Sequence, residues 1–350
     1  MDRESKLPLL AEIPAADLAG RQVLVRLDLN VPIENGQVAD DFRLQRIRPT
    51  VAYLVKAKAR VIILSHLGRT AGSLRPVARY LQNFFPLGFV PELDQLKSQA
   101  ASLSAGGILL LENLRRYPGE AVNDQDLVEQ LASVGEIYIN EAFAASHREH
   151  ASIVGLPRRL PAYVGFWFAE EVRNLSRVFK PGHPFTVILG GAKFETKLPV
   201  VRKFIDAADQ IFIYGALAHA FFRELGYELG ESLVDKDASL ARPFLGHPKI
   251  VLPADVRVQN SGRVFIKRPD ELTTSDNILD VGLLSVEKLL PVIGQSRFIL
   301  WNGPLGNFER GFRGSTEAAA KFIAGSNAES IVGGGDTVAG DSVSGSVEPI

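Results

Sequence analysis

Val23-Leu24-Val25-Arg26-Leu27 is a nearly unbroken apolar run that ends in the polar turn Asp28-Leu29-Asn30. Because apolar side chains occupy consecutive rather than alternate positions, the run predicts a strand buried on both faces, as in a parallel sheet covered by helices. Similar runs lie at residues 61–64, 108–111, 137–139, 186–189, 210–213, 249–252, 297–300 and 330–332. The intervening segments, such as 46–58 and 316–324, are typical of helices. This alternation predicts an α/β fold of doubly wound parallel sheets.

The length of the chain predicts two such domains, because 350 residues exceed the roughly 150 residues of one common domain. The segment 166–180 has the pattern of a helix, and Pro181-Gly182-His183-Pro184 after it is a natural hinge. We therefore expect an N-terminal Rossmann-like domain at 1–165, a linking helix and hinge at 166–184, and a second Rossmann-like domain at 185–350.

The composition of the chain excludes several classes of protein. Lysine and arginine number 39 against 40 aspartate and glutamate, a net charge of −1, and 46% of the residues are hydrophobic. This balance argues against a disordered chain and against a basic nucleic-acid binder. The absence of cysteine excludes disulfides, thiolate catalysis and iron–sulfur clusters. A charged N-terminus, and the lack of any apolar stretch near the ~20 residues of a membrane span, predict a cytoplasmic protein without membrane contacts.

Basic residues lie at or near the predicted strand ends in the first half of the chain: Arg26, Arg43, Arg69, Arg115 and Arg148, with His66, His147 and His150 nearby. Ligands of an open parallel sheet bind beyond the carboxyl ends of its strands. Guanidinium groups pair with carboxylate and phosphate oxygens, so this set predicts a site for a small, multiply charged anion whose hydroxyl group Asp28 and Asn30 could bind. Each residue alone has a simpler interpretation: an arginine in a surface ion pair, His66 as a core or capping residue, and Asp28 with Asn30 closing a turn.

Glycine-rich turns follow the strands of the second half. Gly190-Gly191-Ala192-Lys193 precedes Lys197 by four residues, whereas neither a P-loop nor a dinucleotide fingerprint is present. Such glycines let backbone N–H groups approach phosphate oxygens, although they also serve tight strand–helix packing. Gly333-Gly334-Gly335-Asp336-Thr337 adds a second anion nest, with Asp336 as a candidate Mg²⁺ ligand. With Glu309 as a candidate acceptor from ribose hydroxyls, these turns predict a domain for an Mg-nucleotide.

In their order along the chain, the motifs resemble those of the phosphoglycerate kinases from about residue 20 to 340. The matching stretches of the first half are Val25-Arg26-Leu27-Asp28-Leu29-Asn30-Val31-Pro32, Ser65-His66-Leu67-Gly68-Arg69, Leu111-Glu112-Asn113-Leu114-Arg115 and His147-Arg148-Glu149-His150-Ala151-Ser152. Those of the second half are Leu189-Gly190-Gly191-Ala192-Lys193 with Lys197, Trp301-Asn302-Gly303-Pro304 with Phe308-Glu309, and Gly333-Gly334-Gly335-Asp336-Thr337. Any one motif is weak, but the ordered set is specific.

The resemblance implies a role for each motif residue. Residues implied to bind 3-phosphoglycerate or 1,3-bisphosphoglycerate are Arg26, Asp28, Asn30, Arg43, His66, Arg69, Arg115 and Arg148. Residues implied to bind ADP or ATP are Gly190, Gly191, Lys197, Gly215, Asn302, Glu309, Gly333, Gly334, Gly335, Asp336 and Thr337, with Mg²⁺ on Asp336. Residues implied to act on the phosphoryl group during transfer are Arg43, Lys193 and Gly334. The implied protein is a cytoplasmic, monomeric glycolytic enzyme that transfers a phosphoryl group reversibly between 1,3-bisphosphoglycerate and ADP.

The implied reaction explains why the sequence contains no evident pair of base and nucleophile. The acceptor is a carboxylate that is already ionised, so no general base is needed. Phosphoryl transfer requires alignment and charge neutralisation, which Arg43, Lys193 and Mg²⁺ would supply. Binding of the two substrates to separate domains implies that the hinge closes and expels water.

The sequence departs from the family pattern at three places. The family's second glycine-rich segment, Ser-Thr-Gly-Gly-Gly-Ala, is absent, and loss of its N–H donors is expected to lower turnover, by about 10²–10³ for one donor, unless Ser344-Gly345-Ser346 replaces it. Tyr214-Gly215-Ala216-Leu217-Ala218 replaces a glycine run beside the adenine and is expected to narrow or reshape that pocket. Glu141 replaces an aspartate, a change expected to be mild. The first departure leaves an alternative: a catalytically weakened, phosphoglycerate-kinase-like binding or regulatory protein.

Overall fold

The computed structural model describes residues 7–68, 72–192 and 194–333 of the chain. The chain divides into two units, Met1–Arg173 and Asn174–Ile350. The division lies inside the segment 166–184, which the sequence assigns to a linking helix and hinge. Each unit contains its own parallel sheet, so the α/β fold class predicted from the apolar runs is confirmed.

The first unit is built on a six-stranded parallel sheet. The strands of this unit are β1 (Gln22–Arg26), β2 (Ile33–Glu34), β3 (Gln37–Val38), β4 (Arg60–Leu64), β5 (Leu87–Val90), β6 (Ile108–Leu111), β7 (Ile137–Asn140) and β8 (Ala162–Val164). The sheet has the order β5-β6-β4-β1-β7-β8 with every pair parallel, and β2 and β3 form an antiparallel hairpin. Because β4 joins β1 on one side and β7 joins it on the other, the carboxyl end of β1 is the switch point where an open α/β sheet forms a crevice.

Helices cover both faces of this sheet. They are α1 (Ala15–Leu18), α2 (Phe42–Arg46), α3 (Arg48–Lys56), α4 (Arg75–Leu81), α5 (Leu93–Ser102), α6 (Pro118–Ala121), α7 (Gln125–Ala132) and α8 (Phe166–Ser176). Val23 and Val25 belong to one apolar cluster and Leu24 to another, which is the physical reason that β1 is apolar at consecutive positions. The helix predicted over 46–58 is present as α3, which begins two residues later, at Arg48, and ends two residues earlier, at Lys56. It is separate from α2, which ends at Arg46, because the proline in the first turn of α3 has no N–H to continue the bonds of a preceding helix.

The second unit has a five-stranded parallel sheet and a smaller antiparallel one. Its strands are β9 (Phe185–Leu189), β10 (Gln210–Ile213), β11 (Ile250–Val251), β12 (Val256–Asn260), β13 (Arg263–Lys267), β14 (Asn277–Val281), β15 (Phe298–Asn302) and β16 (Glu329–Gly333). Its helices are α9 (Phe194–Phe204), α10 (Ala216–Glu224), α11 (Leu283–Gln295) and α12 (Gly314–Ala324). The parallel order β11-β10-β9-β15-β16 makes the carboxyl ends of β9 and β15 its switch point.

Every strand predicted from an apolar run is present, but the antiparallel sheet β13-β12-β14 was not predicted. Burial alternates along the start of β12, and β13 is exposed along most of its length, so neither resembles a doubly buried strand. Strands β5 and β8 were also missed, since β5 contains Gly88 and β8 has only 3 residues. Within the described part of the chain, no helix is both long and apolar enough to cross a membrane.

Candidate active site

Arg26, the last residue of β1, is completely buried at the switch point of the first unit. Its Nε donates to Oγ of Ser152 at 2.9 Å, and its Nη1 donates to the carbonyl oxygen of Leu27 at 2.5 Å. Its Nη2 lies 3.0 Å from Nδ1 of His66. A buried guanidinium whose three nitrogens all face acceptors is held in one orientation. Because these contacts are all with protein groups, Arg26 would act on a ligand by orienting its neighbours, among them His66.

His66, which follows β4 closely, is held neutral between two arginines. Its Nε2 lies 3.3 Å from Nη1 of Arg148, on the opposite side of the ring from Arg26. Burial, reinforced by the positive charges of Arg26, Arg115 and Arg148, lowers the pKa of His66 to about 2. A guanidinium can only donate, so the closer contact assigns the ring's lone pair to Nδ1 and its hydrogen to Nε2. Nε2–H and the Arg148 guanidinium then present adjacent donors to an anionic oxygen.

A buried carboxylate, which the sequence did not single out, supports Arg26 through Ser152. Oε1 of Glu120 accepts from Oγ of Ser152 at 2.6 Å, and its Oε2 accepts from the backbone N–H of Ser152 at 3.0 Å. Nδ1 of His150 lies 3.6 Å from the same Oε1. Glu120 was missed because it belongs to a helix of only 4 residues, and its partner Ser152 is 32 residues away.

The loop after β4 is fixed by two polar residues that follow β6. Oδ1 of Asn113 accepts from the backbone N–H of Leu67 at 3.2 Å, and its Nδ2 donates to the carbonyl of Leu67 at 2.9 Å. Oε1 of Glu112 accepts from the backbone N–H of Leu74 at 2.7 Å. Both residues belong to the motif in which only Arg115 was given a role. They hold the two ends of the loop that contains His66.

Asp28 makes an ion pair with Arg43. Oδ2 of the buried Asp28 accepts from Nη1 of Arg43 at 2.7 Å, while 41% of the Arg43 side chain remains exposed. Oδ1 of Asp28 also accepts from the backbone N–H of Asn30 at 3.2 Å, and Oδ1 of the exposed Asn30 accepts from that of Gly68 at 2.8 Å. Asp28 therefore closes a turn, as its simpler interpretation has it, and in addition holds Arg43 through the ion pair. The side chain of Asn30 instead joins this turn to the segment after β4.

The two remaining described arginines of the predicted anion site, Arg115 and Arg148, are both half-buried. Arg115 lies in the 3₁₀ turn Leu114–Arg116, and its charge contributes to the low pKa of His66. The first unit thus brings seven predicted residues together in two groups. Arg26, Arg115 and Arg148 surround His66. Asn30 and Arg43 lie with Asp28.

Close approach of the backbone requires the glycines at the switch point of the second unit. A Cβ on Gly190 would lie 2.1 Å from the carbonyl oxygen of Pro304, and one on Gly303 would lie 2.4 Å from the carbonyl oxygen of Gly190. Gly215 has φ +60°, and a Cβ there would lie 2.9 Å from the backbone nitrogen of Gly191. The loops after β9, β10 and β15 are therefore packed backbone to backbone, whereas the simpler interpretation of these glycines was packing of a strand against a helix.

Lys197 projects from the first turns of α9 and donates from Nζ to Oδ1 of Asn302, the last residue of β15. Burial lowers the pKa of Lys197. Asn302 pairs in register with Gly333 of β16, where a Cβ would lie 3.3 Å from Nδ2 of Asn302. These three predicted nucleotide-binding residues therefore lie together at the carboxyl ends of the strands.

Asp235, another residue that the sequence did not single out, caps α9. Its Oδ2 accepts from the backbone N–H of Phe194 at 2.6 Å and from that of Glu195 at 3.4 Å. A carboxylate at a helix N-terminus interacts favourably with the helix dipole and satisfies donors that have no intrahelical partner. The cap fixes the start of the helix that contains Lys197.

A cleft of about 480 Å³ opens in the second unit, a volume in the range of small-molecule sites. The predicted nucleotide-binding residues that line it are Gly191, Gly215 and Glu309, whereas Gly190, Lys197, Asn302 and Gly333 are not part of its lining. Its apolar lining includes Phe222, Leu233, Val256 and Ile278.

The expectation that the residues after β10 narrow the cleft is wrong for Tyr214. Its side chain is completely buried, and its hydroxyl donates to the carbonyl of Ser285 at 3.1 Å. Only the small side chains of Ala216 and Ala218 from this segment, together with Gly215, contribute to the lining.

Several predicted residues lie outside the described residues: Arg69, Lys193, Gly334, Gly335, Asp336 and Thr337, as does the stretch Ser344-Gly345-Ser346. Within residues 7–68, 72–192 and 194–333, no group of three or more histidine, aspartate or glutamate side chains could hold a metal ion.

Known proteins similar to this chain share one description. The family model for phosphoglycerate kinase matches residues 13–345. The chain is 37% identical over 347 residues to a phosphoglycerate kinase of Pseudothermotoga lettingae, with 92% of this chain and 87% of that protein covered. It is 39% identical over 347 residues to one of Thermus thermophilus, with 92% and 88% covered. A solved phosphoglycerate kinase structure from Coxiella burnetii matches with a TM-score of 0.84 at 33% sequence identity, and the match covers 95% of this chain and 89% of that one. A solved structure from Pyrococcus horikoshii matches with a TM-score of 0.81 at 27% identity, and the match covers 98% of this chain and 92% of that one.

Proposed function

The chain belongs to the phosphoglycerate kinase family, and we propose that it catalyses reversible phosphoryl transfer between 1,3-bisphosphoglycerate and ADP, giving 3-phosphoglycerate and ATP. The single observation behind the assignment of residues is the neutral His66 between Arg26 and Arg148, because it is an anion site at the switch point of the first sheet. The relatives named above are all described as phosphoglycerate kinases, and none supports the alternative of a binding or regulatory protein.

The 3-phosphate of the glycerate is the proposed ligand of the group around His66. Nε2–H of His66 and the guanidinium of Arg148 are adjacent donors that repel each other when no acceptor lies between them. A phosphate oxygen that accepts a hydrogen bond from both would relieve this repulsion. Arg115 adds a positive charge at the same site. Arg69 is proposed as a further ligand from its place in the motif.

Arg43 is the proposed catalytic residue of the first unit. Its ion pair with Asp28 uses Nη1, and among the described residues Nε and Nη2 have no hydrogen-bond partner, so both can bind a phosphoryl oxygen. The attacking or leaving group of the glycerate is a carboxylate, so the reaction needs neutralisation of charge in the transition state and no general base. Lys193 and Gly334 are proposed to act on the same phosphoryl group.

The second unit is proposed to bind the nucleotide. The apolar part of its cleft suits the base, Glu309 in the lining suits the ribose hydroxyls, and Lys197 with the glycine turns suits the phosphates. The nucleotide is proposed to enter as its magnesium complex, with Asp336 as the protein ligand and Thr337 and the last glycines beside the phosphates. Hinge closure, a monomeric state, a cytoplasmic location and the absence of nucleic-acid partners stay predictions of the sequence.

Phosphoryl transfer from ATP to 3-phosphoglycerate with Mg²⁺, coupled to reduction of the acyl phosphate formed, tests this function. We expect turnover by the unaltered chain and a loss of about 10²–10³ in kcat for Arg43→Ala, the scale of removing one donor to developing charge. Arg159→Ala, which breaks a surface ion pair with Glu129, is the matched control and should retain full turnover. Absence of turnover in the unaltered chain, or full activity of Arg43→Ala, would contradict the proposal.

A further inference from the structure

A histidine lines the cleft in the second unit. His219 belongs to α10 and is only 3% exposed, yet it is part of the cleft lining. Its ring stacks on that of Phe222, with centroids 6.4 Å apart and planes inclined by 22°. The motifs that suggested the function contain no residue of this helix beyond Ala218, so neither the sequence nor the proposed mechanism gives His219 a role.

The hydrogen bonds of His219 fix which ring nitrogen is the acceptor. Nδ1 lies 2.6 Å from the backbone carbonyl oxygen of Leu233, and a carbonyl can only accept, so Nδ1 bears the hydrogen. Burial lowers the pKa of His219 to about 4, so the ring is neutral at physiological pH. Nε2 therefore has a lone pair, and within the described residues no hydrogen bond to it is found.

The surroundings of His219 suit a flat, mostly apolar ligand. Phe222, which stacks on His219, lines the same cleft together with Val256 and Ile278, and these side chains provide apolar surface without hydrogen-bonding groups. Asn277 and Glu231 are further polar residues of the lining. A purine base placed against this surface would lose water, so any N–H or C=O on its edge would need a partner from the protein.

We propose that His219 is a specificity-determining residue for the nucleobase, and that its Nε2 accepts a hydrogen bond from the exocyclic amino group of adenine. The inference rests on the proposed function of the cleft as a nucleotide site. In hypoxanthine and guanine an oxo group occupies the place of that amino group, and its lone pairs would face the lone pair of Nε2. His219 thus favours adenosine nucleotides over inosine and guanosine nucleotides.

Comparison of ATP with ITP tests the inference, because the two differ at this edge of the base. A lost hydrogen bond with an unpaired partner is worth ~1.4 kcal/mol, or about tenfold. We expect the unaltered chain to show a KM for ITP about tenfold above that for ATP, with kcat within about twofold. His219→Phe keeps a ring that can stack on Phe222 and should bring the two KM values within about twofold of each other. His219→Gln, whose amide oxygen can take the place of Nε2, should retain much of the preference.

His247→Phe is the matched control, since it introduces the same side chain at a half-buried histidine of the same unit that is not part of the cleft lining, and it should keep the tenfold preference. Calorimetric binding of ADP and IDP gives a readout that does not depend on catalysis. An unaltered chain that binds both equally, or a His219→Phe variant that keeps the full preference, would overturn the inference while leaving the kinase function intact. If the chain binds ADP more tightly than IDP but transfers no phosphoryl group, the kinase function alone is contradicted. If it binds neither nucleotide, both the kinase function and the role of His219 are contradicted.

Discussion

Nη2 of Arg26 lies 3.0 Å from Nδ1 of His66, so a permanently charged and fully buried side chain at the end of β1 faces the acceptor nitrogen of a histidine at the end of the neighbouring β4. This contact determines the tautomer of His66 and directs its remaining N–H toward Arg148. The sequence predicted both residues as direct ligands of the glycerate. We propose different tasks for them on the basis of their geometry: His66 binds the anion, and Arg26 positions His66.

Arg26→Lys is the variant that tests this positioning role. A lysine has one nitrogen and cannot reach Ser152, the Leu27 carbonyl and His66 together, so His66 would lose its fixed tautomer. We expect KM for 3-phosphoglycerate to rise about tenfold or more, the equivalent of one charge-assisted hydrogen bond, and KM for ATP to stay within about twofold. Steady-state kinetics with each substrate varied in turn measures both.

The control for this variant is Arg21→Lys, which lies just before β1 and makes a surface ion pair with Glu136 at 2.8 Å. It should leave both KM values unchanged. A rise in the two KM values to the same extent in Arg26→Lys would indicate general damage to the fold and would contradict a specific action through His66.

The low pKa of His66 predicts a loss of stability in acid. The folded protein keeps His66 neutral down to about pH 2, whereas an unfolded chain protonates it below about pH 6.5. Its contribution to stability is therefore complete above pH 6.5 and is lost as the pH falls toward 2. One proton that binds only to the unfolded chain lowers the free energy of unfolding by at most ~1.4 kcal/mol for each pH unit of acidification. In His66→Gln this proton is missing, so the free energy of unfolding should fall less steeply between pH 6 and 4, by roughly that slope.

Urea unfolding of the two proteins at pH 7, 6, 5 and 4 measures this slope. His147→Gln removes an exposed histidine of the same unit and should decline in parallel with the unaltered chain. If His66→Gln also declines in parallel, His66 is protonated in the folded protein and the assignment of its tautomer is wrong.

The residues that could be predicted from the sequence are those whose position follows from strand ends. Arg26, His66 and Asn302 each lie at or just beyond the last residue of a doubly buried strand, and a parallel sheet brings such positions to one edge whatever the details of packing. The division into two α/β units could be anticipated for the same reason, since it depends on the number of apolar runs and on length.

The residues that could not be predicted are those whose partner is distant in the chain. Glu120 meets Ser152 across 32 residues, Glu112 meets Leu74 across 38, and Asp235 meets Phe194 across 41. Each is a carboxylate that satisfies backbone or hydroxyl donors of another segment. In sequence such a residue is identical to a solvated surface acid, because its burial is produced only when the fold brings the second segment to it.

The cap on α9 predicts a difference between two substitutions of Asp235. Asn retains an oxygen that can accept from the N–H groups of Phe194 and Glu195, whereas Ala leaves them without this partner. We expect Asp235→Ala to cost about 1 kcal/mol in the free energy of unfolding and to raise KM for ATP severalfold, because the start of the helix with Lys197 loosens. Asp235→Asn should cost less than half as much.

Chemical unfolding and the KM for ATP measure these effects together. Asp270→Ala, which removes the carboxylate of an exposed ion pair with Arg268 in the same unit, is the control and should change neither quantity. Equal behaviour of Asp235→Ala and Asp235→Asn would show that the charge rather than the hydrogen bond is what matters at this helix end.

Glu141 gives a final prediction, for a residue whose departure from the family pattern was expected to be mild. It directly follows β7, is buried, and caps the N-terminus of α8. Its Oε1 accepts hydrogen bonds from the hydroxyl of Thr50 and, at 3.1 Å, from the backbone N–H of Trp167. Its Oε2 accepts from the backbone N–H of Phe168 at 3.0 Å. Burial raises the pKa of this carboxyl group. A Cβ on Gly165 would lie 2.2 Å from the carboxylate, so the neighbouring glycine leaves room for it.

Substitutions at Glu141 should therefore rank by how many of these donors they satisfy. Glu141→Gln places an amide NH₂ against at least one donor, and an unsatisfied buried donor costs ~1–3 kcal/mol, so we expect a loss of that size in the free energy of unfolding. Glu141→Asp keeps both oxygens on a shorter side chain and should lose less, provided that the carboxylate still reaches the helix. Glu149→Gln, at an exposed position of the same unit, should be neutral. If the Gln variant is as stable as the unaltered chain, Glu141 is protonated at neutral pH and already presents a donor. We expect the opposite, because the N–H groups of Trp167 and Phe168 at the start of α8 both donate to this carboxylate.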